Sequence, residues 1–289
     1  MKTRRSKLTL WTILGIIVVI VLGVVIFFQS PYSKTRHEFD QAVTDQIDHL
    51  SISQEVFTTE DMEGLPAPVR HYFTYSGYLG KPKMSYMKAA FKDVDFIMSP
   101  DKPAISIDYT QFNFAHEPIR LAFIDTTLYG IPFQGLDSYV HGKGSMLGVL
   151  AKGFTLFHQT GEEMNKAALV TFLSESLMIP SAALQPYIVW ESIDDTHAKA
   201  TISYDGCSAS GVFAFDADGK LLTFTTEDRF LISPDGTYQQ VTWFVRFDEY
   251  ELTNGIKQPT HLQAIWKFSD KDLIYFDSHE VSFDYDQPL

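Results

Sequence analysis

One short segment concentrates side chains that could do chemistry. Residues 137–146 carry an aspartate, a tyrosine, a histidine and a lysine beside two glycines. Asp137, Tyr139 and His141 could form a polar cluster at the mouth of a ligand site. The alternative is a β-turn, because Gly142 tolerates the positive φ that tight turns require. We keep these three residues as candidate ligand-binding residues, with Trp243 from a later aromatic strand as the fourth.

Motifs of known catalytic classes fail on their spacing or their context. Ser85 and Lys88 match the SxxK motif, which needs a helix to bring serine and lysine to one face. They fall in a strand pattern, where i and i+3 face opposite sides, so the match is a chance one. Residues 206–211 lack the GxSxG spacing of a nucleophile elbow. Residues 215–220 resemble a calcium loop, but Thr225 stands where that loop needs glutamate, and a hairpin turn explains the segment.

Residue types that bind metals are dispersed along the chain. The nine histidines include no i, i+4 pair of the kind found in helical zinc sites; they are His37, His49, His71, His116, His141, His158, His197, His261 and His279. Cys207 is the only cysteine, which excludes an intrachain disulfide and a multi-cysteine zinc site. We therefore predict no metal site, no other cofactor and no catalytic residue.

The charge is distributed unevenly. The chain holds 23 Lys and Arg residues against 36 Asp and Glu residues, and the net charge of −13 argues against nucleic-acid binding. Four basic residues and no acidic ones lie before position 8, which leaves 19 basic residues and a charge of −17 for the remainder. A mean hydropathy of −0.06 excludes both a disordered chain and a multispanning membrane protein.

Residues 8–28 form an uncharged, apolar run of 21 residues. At about 1.5 Å per residue, a helix of this length spans the roughly 30 Å hydrocarbon core of a bilayer. Basic residues precede the run, so the positive-inside rule places the N-terminus in the cytoplasm and the following chain outside the cell membrane. A cleaved signal peptide is the alternative, but the run exceeds a usual signal core and no small-residue cleavage site follows it.

The pattern divides the chain into four segments: a cytoplasmic tip (1–7), a single transmembrane helix (8–28), a linker helix (29–58) and an extracytoplasmic β-rich domain (59–289). The spacing of Phe39, Val43 and Ile47 predicts an amphipathic helix in the linker. A second short helix is expected to begin near Pro66 and to end at Gly77.

Two β-rich stretches flank one further helix. Aromatic and β-branched residues alternate with polar ones over 84–98, 104–114 and 119–129. Thr160 and Glu163 have the spacing of a capping box, which predicts that a helix begins there. The second stretch is divided by four turn dipeptides: Asp205-Gly206, Asp218-Gly219, Asp235-Gly236 and Asn254-Gly255. We predict an α+β fold, in which a large antiparallel, strongly curved β-sheet, or half-barrel, holds an inserted capping helix.

The long strands carry apolar residues on both faces. Over 240–250, one face carries Val241, Trp243, Val245 and Phe247, and the other carries Phe244 and Tyr250. Over 273–285, strict alternation places Leu273, Tyr275, Val281 and Phe283 on the same face as Asp277 and His279. A sheet with one wet face alternates more cleanly, so one face should pack on a core while the other is semi-sheltered.

Two motifs carry a family resemblance. Residues 65–73 contain LP-x-PV-x-x-Y, and residues 137–146 contain D-x-Y-x-x-G-x-G-x-M. With both motifs, the chain resembles a bacterial, membrane-anchored family known only as a domain of unknown function, over about residues 60–230. The resemblance implies no activity and transfers no catalytic residue. The inferred architecture is also similar to the half-barrels of periplasmic lipoprotein carriers, an analogy of fold that does not fix function.

Three functions fit these features. The first is a membrane-anchored, extracytoplasmic protein of the bacterial envelope that binds a hydrophobic or lipid-like ligand in its curved sheet and touches the bilayer through residues 8–28. The alternative is an envelope interaction or assembly module whose sheet is simply a packed core. The third is an unrecognised hydrolase centred on Asp137, Tyr139 and His141.

Overall fold

The computed structural model describes residues 2–100, 102–232 and 238–287. It begins with helix α1 (Lys2–Gln29), whose apolar stretch is not buried against the rest of the chain. Within the described residues, this is the one helix long and apolar enough to cross a membrane. Helix α2 (Lys34–Asp48) follows, and the Ser33 hydroxyl caps it by accepting a hydrogen bond from the Arg36 amide at 3.1 Å. The helix predicted in the linker is therefore confirmed.

The strands, in chain order, are β1 (Tyr86–Phe96), β2 (Ile105–Phe114), β3 (Ile119–Leu128), β4 (Ile131–Val140), β5 (Lys143–Leu150), β6 (Phe154–Gln159), β7 (Ile188–Ser192), β8 (His197–Tyr204), β9 (Cys207–Phe215), β10 (Leu221–Thr226), β11 (Phe230–Ile232), β12 (Tyr238–Gln240), β13 (Thr242–Thr253), β14 (Ile256–Lys267), β15 (Asp272–Ser278) and β16 (Val281–Tyr285). Over the described residues, fourteen of them form one antiparallel sheet, while β11 and β12 pair with each other as a separate ribbon.

The large sheet is curved but not closed. Its order is β6-β5-β4-β3-β2-β1-β15-β14-β13-β10-β9-β8-β7, with β16 also paired to β1. The edge strands β6 and β7 do not pair with each other among the described strands, so the sheet is a half-barrel. Strand twist accumulates across it and brings distant turns together. Gly142 in the β4–β5 turn thus lies against Asp205 in the β8–β9 turn.

Three helices cover the concave face of the sheet: α3 (Ala67–Ser76), α4 (Glu162–Glu175) and α5 (Pro180–Ala183). Helix α3 ends where predicted, at Gly77, which adopts a φ of 79°. Helix α4 lies between β5 and β9, so it is enclosed by strands from both halves of the sheet. Its residues from Ala168 to Ser174 are all buried, which makes α4 the inserted helix of the predicted fold.

The start of α4 differs from the predicted capping box. Its N-cap is Gly161 rather than Thr160, and no side chain of the described part of the chain caps the helix. Gly161 has a φ of 118°, a conformation that side-chain-bearing residues rarely adopt. The chain therefore enters the helix one residue later than the motif requires, beyond reach of the Thr160 hydroxyl. The helix itself was predicted correctly, but its capping chemistry was wrong.

Both faces of the sheet are covered near α2. Phe39 and Val43 of α2 pack on the outer face, which is the side away from α4, against Phe112, Leu121 and Phe123. The Phe39 ring centroid lies 5.5 Å from that of Phe123. The linker helix is therefore docked on the sheet by a second apolar cluster.

The alternation predicted over 240–250 is confirmed as far as Phe247, but Tyr250 lies beyond a positive φ of 50° at Glu249 and packs against the concave-face cluster rather than beside Phe244. Trp243, Val245 and Phe247 are buried, whereas Phe244 is half-buried on the outer face.

Over 273–285, the predicted shared face of Leu273, Tyr275, Val281 and Phe283 is confirmed. The placement of Asp277 and His279 on that face is wrong. In β15, a register shift beside Ile274 adds one residue. Tyr275 therefore stacks on Trp266 on the concave face, while Asp277 lies beside Gln263 on the outer face.

Two of the predicted glycine turns have positive φ at both central residues. These angles are 47° and 77° at Asp205-Gly206 and 55° and 78° at Asn254-Gly255. Such angles match the mirror-image turns that join twisted antiparallel strands. Gly219 has a φ of 92°. The predicted Asp235-Gly236 turn lies outside the described residues.

The β5–β6 turn is attached to the end of α1. Lys152, which is buried in this turn, donates hydrogen bonds to the Phe27 carbonyl at 3.1 Å and to the Ser30 carbonyl. A cation at a helix C-terminus satisfies free carbonyls and complements the helix dipole. One end of the curved sheet is thereby fixed beside the end of the apolar helix.

Candidate functional site

The four candidate residues occupy three separate places. Asp137 and Tyr139 lie on β4 and face the concave side, toward α4. His141 lies in the β4–β5 turn with a φ of 47°, and its side chain is exposed. Trp243 lies on β13, which five strands separate from β4 in the sheet order: β3, β2, β1, β15 and β14. The structure therefore brings together only Asp137 and Tyr139.

Asp137 belongs to a buried ionic cluster. Arg120 on β3, which is 4% exposed, donates to the Asp137 carboxylate at 2.7 Å and to the Glu175 carboxylate at 3.0 Å. Glu175 is the last residue of α4. The remaining Arg120 nitrogen donates to the Tyr109 hydroxyl and to the Gln111 side-chain carbonyl. The cluster therefore joins three strands of the sheet to the inserted helix.

Each ionic side chain of the cluster has an ion-pair partner within it. Burial by itself lowers the pKa of Arg120, but Glu175 and Asp137 together raise it well above its ordinary value. Burial also raises the pKa of Tyr109, which keeps its phenol protonated. Asn113 donates to Glu175 at 2.7 Å and accepts from Gln111 at 2.8 Å. With each charge paired, the arrangement links the α4 C-terminus to the sheet and offers no activated nucleophile or base.

The sequence reasoning missed Arg120 and Glu175. Arg120 shares the inward face of β3 with Ala122 and Ile124. This position in the strand pattern was the signal that could have indicated a buried ion pair. An arginine at an inward position of an apolar strand needs a buried partner. Its partner, however, is 55 residues away on another element.

Tyr139 is fully buried, and its hydroxyl has no hydrogen-bond partner among the described residues. Burial raises the pKa of this phenol, so it does not act as a base near neutral pH. We predict that Tyr139→Phe leaves the free energy of unfolding unchanged or raises it by about 1 kcal/mol, because it removes an unpaired buried hydroxyl. Urea unfolding monitored by circular dichroism measures this change. A loss of more than about 1 kcal/mol would instead indicate a hydrogen-bonding role for the hydroxyl.

His141 takes part in a contact between turns. Its Nδ1 lies 3.7 Å from the Glu117 carboxylate, which also accepts a hydrogen bond from the Tyr204 hydroxyl at 2.8 Å. Glu117 belongs to the β2–β3 turn and Tyr204 ends β8. The polar segment at 137–146 is thus divided: its first residues point into the core, and His141 lies in a glycine-containing turn.

Trp243 belongs to a different feature, which we call the aromatic wall. The wall consists of six side chains on the concave face: Phe96, Tyr109, Trp243, Trp266, Tyr275 and Phe276. Trp243 donates its indole hydrogen to the Tyr275 hydroxyl at 3.0 Å, and the Trp266 and Tyr275 ring centroids are 5.9 Å apart. Phe96, Tyr275 and Phe276 are only half-buried, so part of the wall is accessible.

The β11–β12 ribbon and the residue before it lie over the aromatic wall. Leu231 of β11 packs against the same apolar cluster. The Arg229 guanidinium lies 4.3 Å from the Trp243 ring centroid and 5.7 Å from that of Trp266. Arg229 also donates to the Thr171 hydroxyl of α4 at 3.0 Å. The wall is therefore bounded by α4 on one side and by the ribbon on another.

The accessible part of the wall lies at the end of the sheet that adjoins α1. Phe96 at the end of β1 pairs with Ile105 at the start of β2. The Thr126 hydroxyl near the end of β3 donates to the Ser106 carbonyl, which places the β3–β4 turn at the same end. The Ala151 amide donates to the Pro132 carbonyl at 2.7 Å, so the β5–β6 turn is also there.

Four exposed apolar side chains surround these two turns, and we call them the apolar rim: Tyr129, Ile131, Phe154 and Leu156. Tyr129 is fully exposed and Phe154 is 72% exposed. Because the buried Lys152 of the β5–β6 turn contacts the last residues of α1, the rim lies beside the end of that helix.

Two open hollows also indent the surface. One, of about 540 Å³, lies between β5, β6 and the first turn of α4, and its lining includes Lys143, His158, Glu162 and Asn165. The other, of about 480 Å³, lies near the β11–β12 ribbon and includes Glu227, Gln239, Lys267 and Asp270. Both are open to solvent, so neither has the enclosure of a lipid pocket.

Comparisons with known proteins identify a family and a set of distant structures. A family model described as "Family of unknown function (DUF6544)" matches residues 55–278. No curated protein matches the chain. A LolA superfamily protein from Nitrosomonas europaea is similar at 11% identity and a TM-score of 0.39, over 76% of this chain and 94% of that one.

Two further solved structures are similar at the same level. A putative outer membrane lipoprotein-sorting protein domain from Vibrio parahaemolyticus has 9% identity and a TM-score of 0.36, over 71% of this chain and 86% of that one. A DUF1329 family protein from Desulfovibrio piger has 13% identity and a TM-score of 0.34, over 89% of this chain and 95% of that one.

Proposed function

The chain belongs to DUF6544, a family of unknown function, and on that premise we propose that it is a membrane-anchored protein whose curved sheet receives an apolar, lipid-like ligand from the bilayer. Helix α1 spans the membrane with the N-terminus in the cytoplasm, and the sheet lies on the extracytoplasmic side. One observation carries the proposal: the accessible end of the aromatic wall and the apolar rim lie at the end of the sheet beside α1.

The anchor rests on length, composition and charge. Residues 8–28 are uncharged, and basic residues lie only on their N-terminal side within the first 30 positions. That asymmetry is the one that retains an N-terminus in the cytoplasm. The hydrogen bonds of Lys152 to Phe27 and Ser30 then hold the β5–β6 turn close to the outer membrane surface.

The apolar rim is the part of the domain suited to the bilayer interface. Tyrosine and phenylalanine side chains at the level of the lipid headgroups are favoured there, whereas in water they cost free energy. The remainder of the chain after the anchor carries a charge of −17, so anionic lipids repel most of its surface. Contact with the membrane is thereby restricted to the rim.

The aromatic wall supplies the binding surface beyond the rim. Its half-buried members, Phe96, Tyr275 and Phe276, offer flat apolar faces to an acyl chain. Helix α4 already fills the part of the concave face between β5 and β9, so the ligand lies along the wall, between α4 and the β11–β12 ribbon. Arg229, at the border of the wall, provides a cation for an acidic headgroup.

Photo-crosslinking in nanodiscs tests this proposal. The full chain is reconstituted with phosphatidylcholine that carries a diazirine in its acyl chain, and cross-linked peptides are identified by mass spectrometry. We predict cross-links within residues 8–28, at the apolar rim and at the aromatic wall. Phe96→Asp should lower the yield at the wall by about five-fold or more, because a charge replaces apolar contact area, while cross-links in 8–28 persist.

Phe244→Asp is the matched control, because Phe244 is also a half-buried phenylalanine but lies on the outer face. It should leave the wall cross-links unchanged. Phe154→Asp at the rim should lower them, because the charge hinders entry from the bilayer. Cross-links confined to 8–28 and the rim would overturn ligand binding while preserving the anchor, and their absence from 8–28 would overturn the anchor.

One observation favours a second function, an interaction or assembly module. The part of the concave face that holds α4 is packed by apolar side chains, as expected of a sheet that serves only as a core. In that case the apolar rim binds a protein partner in the envelope. The same experiment distinguishes the two, since the module predicts no lipid cross-link on the wall.

A further inference from the structure

Two histidines and an aspartate meet on the outer face, away from both the wall and the buried ionic cluster. His261 lies on β14, Asp277 on β15, and His279 in the turn that follows β15. Each offers one ligand atom, and these three atoms all lie within 4.8 Å of one another. From this geometry we propose that they form a site for a divalent first-row transition metal ion such as Zn²⁺.

The distances suit a metal ion. The Nε2 atom of His261 lies 2.9 Å, and that of His279 3.6 Å, from the same oxygen, Oδ1 of Asp277. Ligand atoms around a tetrahedral zinc are about 3.3 Å apart, given zinc–nitrogen and zinc–oxygen bonds of about 2.0–2.2 Å. The two imidazole rings stack at 4.3 Å between centroids, so both present their Nε2 edges to one carboxylate oxygen. A small shift of the exposed His279 would complete the three-ligand arrangement.

The carboxylate is held in place by a second set of side chains. Its other oxygen, Oδ2, accepts a hydrogen bond from Gln263 at 3.0 Å, and Gln263 in turn accepts one from Arg246 at 2.9 Å. Hydrogen bonds of this kind orient metal ligands and are part of a site's affinity. Oδ1 is thereby left to the histidines and to the ion.

A second observation points to a cation at this place. Asp95 of β1 is the register partner of Asp277 across the β1–β15 ladder. Like charges directly opposite each other on neighbouring strands repel, and such a pair destabilises a sheet. A divalent ion bound at Asp277 offsets this repulsion. Two imidazoles and a carboxylate favour zinc or a similar ion over calcium or magnesium, which take oxygen ligands.

The residues leave coordination positions open. His261 and Asp277 are largely buried, whereas the His279 side chain is 65% exposed. Three protein ligands with an open fourth position are typical of zinc sites that bind water or an exogenous ligand. The site therefore accepts water, or a donor group from another molecule, at the outer surface of the sheet.

Calorimetric titration of the full chain in detergent, without a polyhistidine tag and after dialysis against a chelator, tests the site with ZnCl₂. We predict one zinc ion per chain, and a loss of affinity of about ten-fold or more in His279→Ala, which should keep its fold because the side chain is exposed. In the cobalt-loaded protein, the visible absorption bands should be those of a cobalt ion with a low coordination number. These bands should be lost in His279→Ala.

His197→Ala is the matched control. His197 also lies 2.9 Å from a carboxylate, that of Asp194. Unlike the His261–Asp277 pair, this pair has no second histidine beside it among the described residues. This variant should keep the affinity of the unsubstituted chain. The proposal is overturned if the unsubstituted chain binds no zinc, if His279→Ala binds it equally well, or if His197→Ala loses as much affinity.

Discussion

Arg120→Met is expected to lower the free energy of unfolding by about 3–5 kcal/mol, because it leaves two carboxylates buried without their cation. Arg120 is 4% exposed and bonds to both Asp137 and Glu175. Neither carboxylate has enough solvent to recover its hydration, since their side chains are 25% and 12% exposed. Urea unfolding of the full chain in detergent, monitored by far-UV circular dichroism, measures the loss.

Lys92→Met is the matched control for Arg120→Met. Lys92 pairs with Asp108 at 2.5 Å, but both side chains are about half exposed. Exposed ion pairs contribute about 1 kcal/mol or less, so this variant should be nearly neutral. If the two variants lose equal stability, the buried cluster has no special role in holding α4 on the sheet.

Combining Arg120→Met with Asp137→Asn and Glu175→Gln should recover part of the loss. The combined variant removes the unpaired charges together with the cation, and a buried ionic group can be replaced by neutral residues at small cost. Recovery would assign the effect of Arg120→Met to uncompensated charge. No recovery would assign it to packing of the arginine side chain.

Local periodicity predicted the elements that depend on one apolar face. Phe39 and Val43 recur at helical spacing, and they are the apolar residues that α2 buries. Gly77 ends α3 because glycine readily adopts the left-handed conformation that terminates a helix. The inserted helix and the open curvature of the sheet also followed from the pattern, because long strands joined by tight turns must twist.

Contacts between distant elements could not be predicted in this way. Arg120 and Glu175 meet only because α4 crosses the concave face, and nothing in the spacing of the two residues indicates that path. His261 and Asp277 meet because a register shift in β15 moves Asp277 to the outer face. Strict alternation had placed Asp277 with Leu273 and Tyr275. An inserted residue reverses the face of the residues that follow it in the same strand, so one irregularity changes which side chains form a site.

Gly144→Val is expected to displace α4 and to lower the free energy of unfolding by about 3 kcal/mol or more, from overpacking and a lost hydrogen bond. A Cβ atom at Gly144 would lie 2.3 Å from the Met164 carbonyl oxygen and 3.0 Å from the Ala168 Cβ. The first of these is backbone, so no rotamer change relieves the clash. The Gly144 amide also donates to the Asn165 side chain at 2.7 Å, and a displaced helix loses that bond.

Hydrogen exchange shows whether α4 is the element that moves in Gly144→Val. Exchange of the amides in 162–175 should become faster in this variant, while β2 and β3 keep their protection, because the contact lies between β5 and the first turn of the helix. Gly64→Val is the control, since a Cβ there meets no atom within 4 Å. Unchanged exchange in 162–175 would contradict close backbone docking of α4. Faster exchange would show that a glycine of the D-x-Y-x-x-G-x-G-x-M motif holds the helix against the sheet, a structural reason for that residue that requires no catalysis.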